Sequence, residues 1–303
     1  MDISINGEKA EITLEAEKTI GDILTGLDNW LAGTYTNTRG NALYRISGLV
    51  IDGIAVNEQS LEDSFTRQLA SIKTLDIHIS SLRELLHTAL QETIHAIAAW
   101  EKTDFPDKSN FLKNWKTSPA AAFLSGQSHE LYTTVAQTFS GENPGAAVLA
   151  GIINERLREL ENPSAELDSM ERVIGDTVSQ LENLPLNFQT GKDKQAAETI
   201  QLFSGVTEKI FRIFNLLNTG GNFTDTIKLM PEAEPYGNNT APGGNTYAAC
   251  GKTRFPDFLD EFNATLKEML SAYERKDTVL VGDLAEYEMA PRLRSFYTAL
   301  KSP

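Results

Sequence analysis

The strongest constraint on the fold is a change in the spacing of apolar residues near residue 81. Before this point apolar and polar residues alternate in short runs, and the dipeptides Asn6-Gly7 and Asp52-Gly53 stand between such runs. Alternation predicts β-strands, and these dipeptides predict tight hairpin turns. From residue 81 onward apolar residues recur every three or four positions, which predicts amphipathic helices. The sequence therefore predicts an α+β protein, with a small strand-rich module at 1–80 and a mostly antiparallel α-helical bundle at 81–303.

The first 80 residues predict a definite order of elements. Two strands, "DISING" and "AEITLE", precede a helix in "TIGDILTGLDNWLAG", which Thr19 could cap and Gly33 could end. The stretch "ALYRISGLVIDGIAV" then predicts a strand, a turn and a strand, and "TLDIHIS" predicts a last strand. This order resembles the β-grasp fold of ubiquitin and the bacterial sulfur-carrier proteins, over about a quarter of the chain.

The resemblance implies a β-grasp-like binding or docking module without the chemistry of either group of relatives. A sulfur carrier needs a free C-terminal Gly-Gly, whereas the last strand here leads directly into "SSLRELLHTAL". A β-grasp ferredoxin needs a cluster of cysteines, and this chain has 1 cysteine.

The predicted bundle contains one long stretch that has no helical period. Short polar loops join its amphipathic segments, which predicts antiparallel neighbours. The exception is residues 218–255, which are rich in Gly, Asn and Pro. A loop of this length inside a compact domain is usually functional or disordered, so we expect specific function to concentrate there.

Composition excludes several classes of partner. The chain has 303 residues and a formal net charge of −15, and its richest basic runs, Arg292–Arg294 and Lys108–Lys116, are short. An acidic surface repels phosphate backbones, so no nucleic-acid partner is expected. No stretch is apolar for as long as a membrane span requires. A single cysteine argues against a disulfide framework and a multi-cysteine metal site, and we expect a cytoplasmic protein without a cofactor.

The stretch "GGNTYAACGKT" has the composition of a phosphate-binding loop but not its spacing. The required first glycine would fall at Thr246, and Pro256 would interrupt the helix that should follow. The same stretch places the thiol of Cys250 beside Lys252 and Arg254, whose charges would favour the thiolate. A catalytic thiol also needs a base, and no histidine is near in sequence. The three residues remain candidates for contact with a partner.

Two Glu-x-x-His pairs, Glu84 with His87 and Glu92 with His95, have the spacing that di-iron bundles use. Both pairs lie on one predicted helix, and its two histidines point roughly 80° apart around the axis. They cannot readily share one metal ion. The sequence therefore predicts no metal site and no catalytic residue.

The C-terminal stretch "VGDLAEYEMAPRLRSF" gathers the acids Asp283, Glu286 and Glu288 ahead of Pro291. The proline cannot donate to a carbonyl one turn earlier, so the helix is expected to kink or restart there. The acids could form a partner-docking surface or a cation site. A solvated helix face is the alternative that we favour, with an ion pair between Glu288 and Arg292. The stretch is similar to segments of bacterial helical proteins, which implies no particular activity.

These observations favour a noncatalytic intracellular adaptor or scaffold that binds another protein. The alternative is an enzyme whose site is assembled from the 218–255 loop and the helical bundle. An enzyme should have a deep pocket with convergent polar groups beside the loop, and an adaptor should have an apolar patch or groove with a polar rim.

Overall fold

The computed structural model describes residues 1–11, 13–14, 16–36, 42–104, 107–218 and 255–301. Contacts divide the chain into two compact units, Met1–Leu160 and Glu161–Pro303. The first unit opens with a five-stranded mixed sheet, and helices make up most of the remainder. The predicted α+β class is confirmed.

The sheet has the strand order β2-β1-β5-β3-β4. The central pair β1 and β5 is parallel, whereas β1 with β2, β3 with β5, and β3 with β4 are antiparallel. Its strands are β1 Asp2–Ile5, β2 Glu8–Lys9, β3 Tyr44–Ile51, β4 Ile54–Ala55 and β5 Thr74–Ser81.

Both predicted hairpin turns are confirmed. Asn6 and Gly7 have φ values of 51° and 79°, and Asp52 and Gly53 have values of 52° and 80°. Positive φ at both central residues is the geometry that Asn-Gly and Asp-Gly favour in two-residue hairpins. The strand predicted in "AEITLE" is wrong for the residues of that stretch that the structure describes, because β2 ends at Lys9. Leu14, one of them, is exposed.

The first helix covers one face of the sheet. Thr19 accepts a hydrogen bond from the Asp22 backbone N–H while the Asp22 carboxylate accepts from the Thr19 backbone, which forms a capping box at the predicted start of the helix. The buried side chains from helix, sheet and connecting turns form one cluster: Ile3, Ile20, Ile23, Leu24, Leu49, Ile51, Leu69, Ile72, Leu75 and Ile77.

Helices complete the first unit. Ser81 ends β5 and caps the next helix, and its backbone N–H donates to Glu84 at 2.8 Å, so the strand passes into the helix without a loop. A short 3₁₀ turn, Leu69–Ser71, precedes β5. The helices are α1 Ile20–Thr34, α2 Glu58–Phe65, α3 Leu82–Glu101, α4 Lys108–Lys116, α5 Pro119–Gln127, α6 His129–Phe139 and α7 Ala146–Glu161.

The described part of the second unit is helical. Its core contains a group of phenylalanine rings in mutual contact, among them Phe262 and Phe296, which are fully buried. Among the described residues, no helix is both long and apolar enough to cross a membrane. The helices are α8 Pro163–Ser169, α9 Glu171–Glu182, α10 Leu184–Gln189, α11 Asp193–Asn218, α12 Phe255–Glu274, α13 Thr278–Asp283 and α14 Ala290–Lys301.

A π-helical segment, Leu284–Met289, joins α13 to α14 and is called the π segment below. In it the Ala290 N–H donates to the Ala285 carbonyl, five residues earlier. A regular α-helix would require Pro291 to donate, which it cannot. The expected kink or restart is therefore replaced by a wider turn that keeps the helical run continuous and places Phe296 in the core.

Candidate functional site

Helix α4 presents two different faces. Phe111 and Trp115, four residues apart, pack toward α6, where Trp115 stacks on Tyr132 with ring centroids 5.4 Å apart. Lys108, Leu112 and Lys116 follow one another at the same four-residue spacing on the adjoining face. Residues at this spacing share one face of a helix, so an aromatic row and a basic row run side by side along α4.

Phe139, the last residue of α6, is the centre of an aromatic cluster. Its ring lies 5.2 Å from that of Phe111, 5.4 Å from that of Trp115 and 6.0 Å from that of Trp100. The first two contacts are edge-to-face, an arrangement that the ring quadrupoles favour. The cluster fixes α4 against the ends of α3 and α6.

An open cleft of about 520 Å³ lies over this cluster and is called the lysine cleft below. Its volume falls within the range of small-molecule pockets. Aromatic and aliphatic side chains line it together with lysines and the start of the α6–α7 loop. The lining residues are Trp100, Lys108, Leu112, Lys113, Lys116, Phe139, Ser140 and Gly141.

The lysine cleft concentrates positive charge on a chain whose formal net charge is −15. The ammonium of Lys108 lies 4.2 Å from the centroid of the Trp100 ring, a cation–π contact. Within the described part of the chain, Lys108, Lys113 and Lys116 have no carboxylate partner, and no acidic side chain lines the cleft. These lysines are therefore available to an anionic ligand.

The α6–α7 loop closes one end of the cleft with a helix-terminating motif. Gly141 has a φ of 84°, its N–H donates to the Thr138 carbonyl, and the Glu142 N–H donates to the Gln137 carbonyl. This pair of bonds is the Schellman motif, which favours glycine at its left-handed position. The backbone N–H groups of Ser140, Gly141 and Glu142 are thereby already used.

Two indole nitrogens in the aromatic cluster are buried without a hydrogen-bond partner among the described residues. They are Nε1 of Trp100, in the wall of the cleft, and Nε1 of Trp115 behind it. A buried donor left unpaired costs on the order of 1–3 kcal/mol. The cluster is thus held by ring packing and not by polar contacts.

Comparison with known families covers two parts of the chain. Residues 1–81, which end with β5, match a family model described as the TP0873 N-terminal domain. Residues 166–299 match a model described as domain of unknown function DUF8042. No curated protein and no solved structure matches the chain. Neither of the two family models reaches the lysine cleft at residues 100–141.

The predicted acidic residues Asp283, Glu286 and Glu288 lie on α13 and the π segment, around Tyr287, whose side chain is 62% exposed. The Glu286 carboxylate beside the phenol raises the pKa of Tyr287. Glu288 forms the predicted ion pair with Arg292. These acids surround a protruding side chain, and the groups needed to enclose a cation are not assembled around them in the described structure.

The other predicted residues, Cys250, Lys252 and Arg254, lie outside the described residues, as does most of the 218–255 loop. Whether that loop contacts a partner protein or contributes to an enzyme site therefore stays a prediction.

The first Glu-x-x-His pair has a structural explanation for its acid. The Glu84 carboxylate accepts hydrogen bonds from the backbone N–H and the hydroxyl of Ser81. These hydrogen bonds lower the pKa of Glu84, the backbone bond most. Among the described residues, no group of three metal-ligating side chains is assembled.

Sequence reasoning missed one cluster of catalytic residue types on the sheet. The Ser4 hydroxyl donates to Asp76 at 2.7 Å, and His78 Nε2 lies 3.4 Å from the other Asp76 oxygen. A nucleophilic triad needs histidine between serine and acid, so that the imidazole can take the serine proton. Here the carboxylate lies between them. The Ser4 bond, and then the Gly7 N–H, lower the pKa of Asp76, which is a structural link between β1 and β5.

Sequence reasoning also missed the lysine cleft, although it registered the basic run Lys108–Lys116. The available signal was lysines and aromatics at four-residue spacing on adjoining faces of one short helix. Trp100 and Gly141, which complete the cleft, lie outside α4 and gave no signal of their own.

Proposed function

We propose that the protein is a noncatalytic intracellular adaptor that binds another protein in the lysine cleft. The observation that carries the proposal is an open groove with an aromatic floor and lysines that lack carboxylate partners within the described chain. Apolar surface bounded by polar side chains is typical of protein-binding sites, and aromatic residues contribute most of their binding energy. An intracellular setting is favoured by the single cysteine.

The N-terminal module supports the proposal by analogy. We propose that it is β-grasp-like, because its strand order β2-β1-β5-β3-β4 has a parallel central pair and a helix packed on one face. Fold analogy alone does not define a function, so the module adds only a general expectation of docking.

Site-specific photo-cross-linking in the native cell tests the proposal. A benzoylphenylalanine replaces Leu112, which lines the cleft, and a control replaces Tyr273, an exposed residue of α12. We expect position 112 to trap a partner protein, and we expect the cross-link to disappear when Lys113→Glu and Lys116→Glu are added.

Two outcomes would contradict the adaptor proposal. One is the absence of any protein cross-link from position 112 while position 273 gives one. The other is a cross-link at position 112 that persists unchanged after both lysines are reversed.

A further inference from the structure

We propose that the occupant of the lysine cleft is an acidic segment of the partner, with one aromatic side chain between carboxylates. This inference rests on the proposed function and names the chemistry that the site recognises. It follows from the spacing of the lysines, from the apolar side chains that line the cleft between them, and from the hydrogen bonds that the backbone N–H groups after α6 already make.

The lysines are spread along the cleft and not gathered at one point. Lys108 and Lys116 stand at the two ends of α4, and at a rise of 1.5 Å per residue they are about 12 Å apart along its axis. Lys113 lies between them. A row of separate charges matches the carboxylates of successive acidic residues, and charge complementarity of this kind fixes register and increases the association rate.

The floor selects an apolar anchor. Trp100, Leu112 and Phe139 line the cleft between the lysines. An aromatic side chain placed there can pack against Leu112 and the partly exposed side chain of Trp100 while flanking carboxylates reach the ammonium groups. Buried aromatic anchors surrounded by polar contacts are the usual centre of binding energy in protein interfaces.

The loop backbone argues against a single bound phosphate. Phosphate sites use free backbone N–H groups at a helix start or in a nest. Here the N–H groups of Ser140, Gly141 and Glu142 all donate to carbonyls of α6. A ligand must therefore be held by the lysines and the rings, which favours distributed carboxylates over one compact anion.

Titration of the full chain with defined peptides tests this inference. The probe is a fluorescent peptide with one phenylalanine flanked by glutamates on both sides. One control peptide replaces the glutamates by glutamines, and a second replaces the phenylalanine by alanine. We expect saturable binding of the probe and at least about tenfold weaker binding of each control, because each removes one of the two recognition elements.

A matched pair of protein variants locates the binding. The double variant Lys113→Glu/Lys116→Glu should weaken binding of the probe at least about tenfold, since two attractive contacts become repulsive. The control Lys192→Glu/Lys267→Glu makes the same charge change at exposed positions of the second unit and should bind as the wild type does. Thermal melting checks that both variants are folded.

The outcomes separate this inference from the proposed function. Equal binding of the glutamate and glutamine peptides, or tighter binding of oligothymidylate or ATP than of the probe, would overturn the acidic segment. The adaptor proposal would still stand if position 112 cross-links a protein in cells. Conversely, peptide binding that depends on Lys113 and Lys116, with a cellular cross-link from position 273 and none from position 112, would support the ligand chemistry and contradict the adaptor.

Discussion

The lysine cleft and the acidic π segment carry opposite charges and differ even more in shape. The cleft is concave, has an aromatic floor, and its lysines lack carboxylate partners among the described residues. The π segment is convex, with Tyr287 projecting from it, and Glu288 is already paired with Arg292. A cluster of charge therefore indicates a binding site only when it surrounds a cavity and is not satisfied within the chain.

The same two regions show that an unusual backbone conformation does not by itself indicate a functional site. A π turn is often found at functional sites, and the sequence directed attention to the acids around it. Here the missing donor of Pro291 and the burial of Leu293 and Phe296 account for the π turn structurally. The lysine cleft, by contrast, is built on ordinary α-helices.

The largest difference should appear when one aromatic side chain is removed from each region. Phe139→Ala deletes the centre of the buried cluster and should lower the free energy of unfolding by about 3–5 kcal/mol and abolish binding of the acidic peptide. Tyr287→Ala removes an exposed ring and should change stability by less than about 0.5 kcal/mol. Urea denaturation and peptide titration measure both effects. Similar losses in the two variants would remove the distinction between the regions.

Salt and charge reversal should affect the two regions differently. Raising the ionic strength from about 0.1 M to about 1 M shortens the Debye length from roughly 10 Å to roughly 3 Å. We expect peptide affinity at the cleft to fall about tenfold as a result. The reversal Asp283→Lys/Glu286→Lys should leave that affinity unchanged at either salt concentration. Calorimetric titration checks this, and a salt-independent affinity would contradict the role of the lysines.

Two Schellman motifs provide a matched test of backbone strain. Gly141 ends α6 beside the cleft with a φ of 84°, and Lys276 ends α12 with a φ of 58° in the same hydrogen-bond pattern. No heavy atom lies within 4 Å of a Cβ placed at Gly141, so Gly141→Ala should cost about 1 kcal/mol through its φ alone. Lys276→Gly should stabilise by up to about 1 kcal/mol for the same reason. Chemical denaturation gives both signs, and the same sign for both would contradict the explanation.

The smallest effect should come from substituting Asp76, whose carboxylate accepts hydrogen bonds from Ser4 and Gly7. Hydrogen bonds from Ser4 and Gly7 hold the pKa of Asp76 below its ordinary value. Its stabilising effect is therefore present above the unfolded-state pKa and is lost as pH falls through the lower folded-state pKa. Asp76→Asn should melt lower than the wild type at neutral pH, and the two melting curves should converge once the pH falls below the lowered folded-state pKa of Asp76. A constant difference at all pH values would contradict this.

Local signals in the sequence predicted much of the fold. Asn6-Gly7 and Asp52-Gly53 predicted both hairpins, and Thr19 predicted the start of α1, because turns and caps depend on neighbouring residues. The length of β2 could not be predicted, since pairing at a sheet edge depends on contacts distant in sequence. The predicted division at residue 81 stays a prediction, although the sheet cluster contains only residues before it.

The candidate site was less predictable than the fold. The cleft exists because Trp100, the α4 lysines and Gly141 meet around Phe139, and such a meeting depends on how three helices pack. The pattern on α4 alone is equally typical of a surface helix. The acids near Pro291 could be recognised because they lie close together in sequence. Closeness in sequence does not by itself form a pocket.

The indole N–H signals of the chain's 3 tryptophans offer the most direct test of the central claim. Trp100 lines the lysine cleft, whereas Trp30 is an exposed residue of α1 that does not line it. In two-dimensional NMR spectra of the full chain titrated with the acidic phenylalanine peptide, the account predicts a progressive shift of the Trp100 indole signal and a stationary Trp30 signal. A stationary Trp100 signal at peptide saturation, with shifts confined to Trp30 or to the residues around Tyr287, would contradict it.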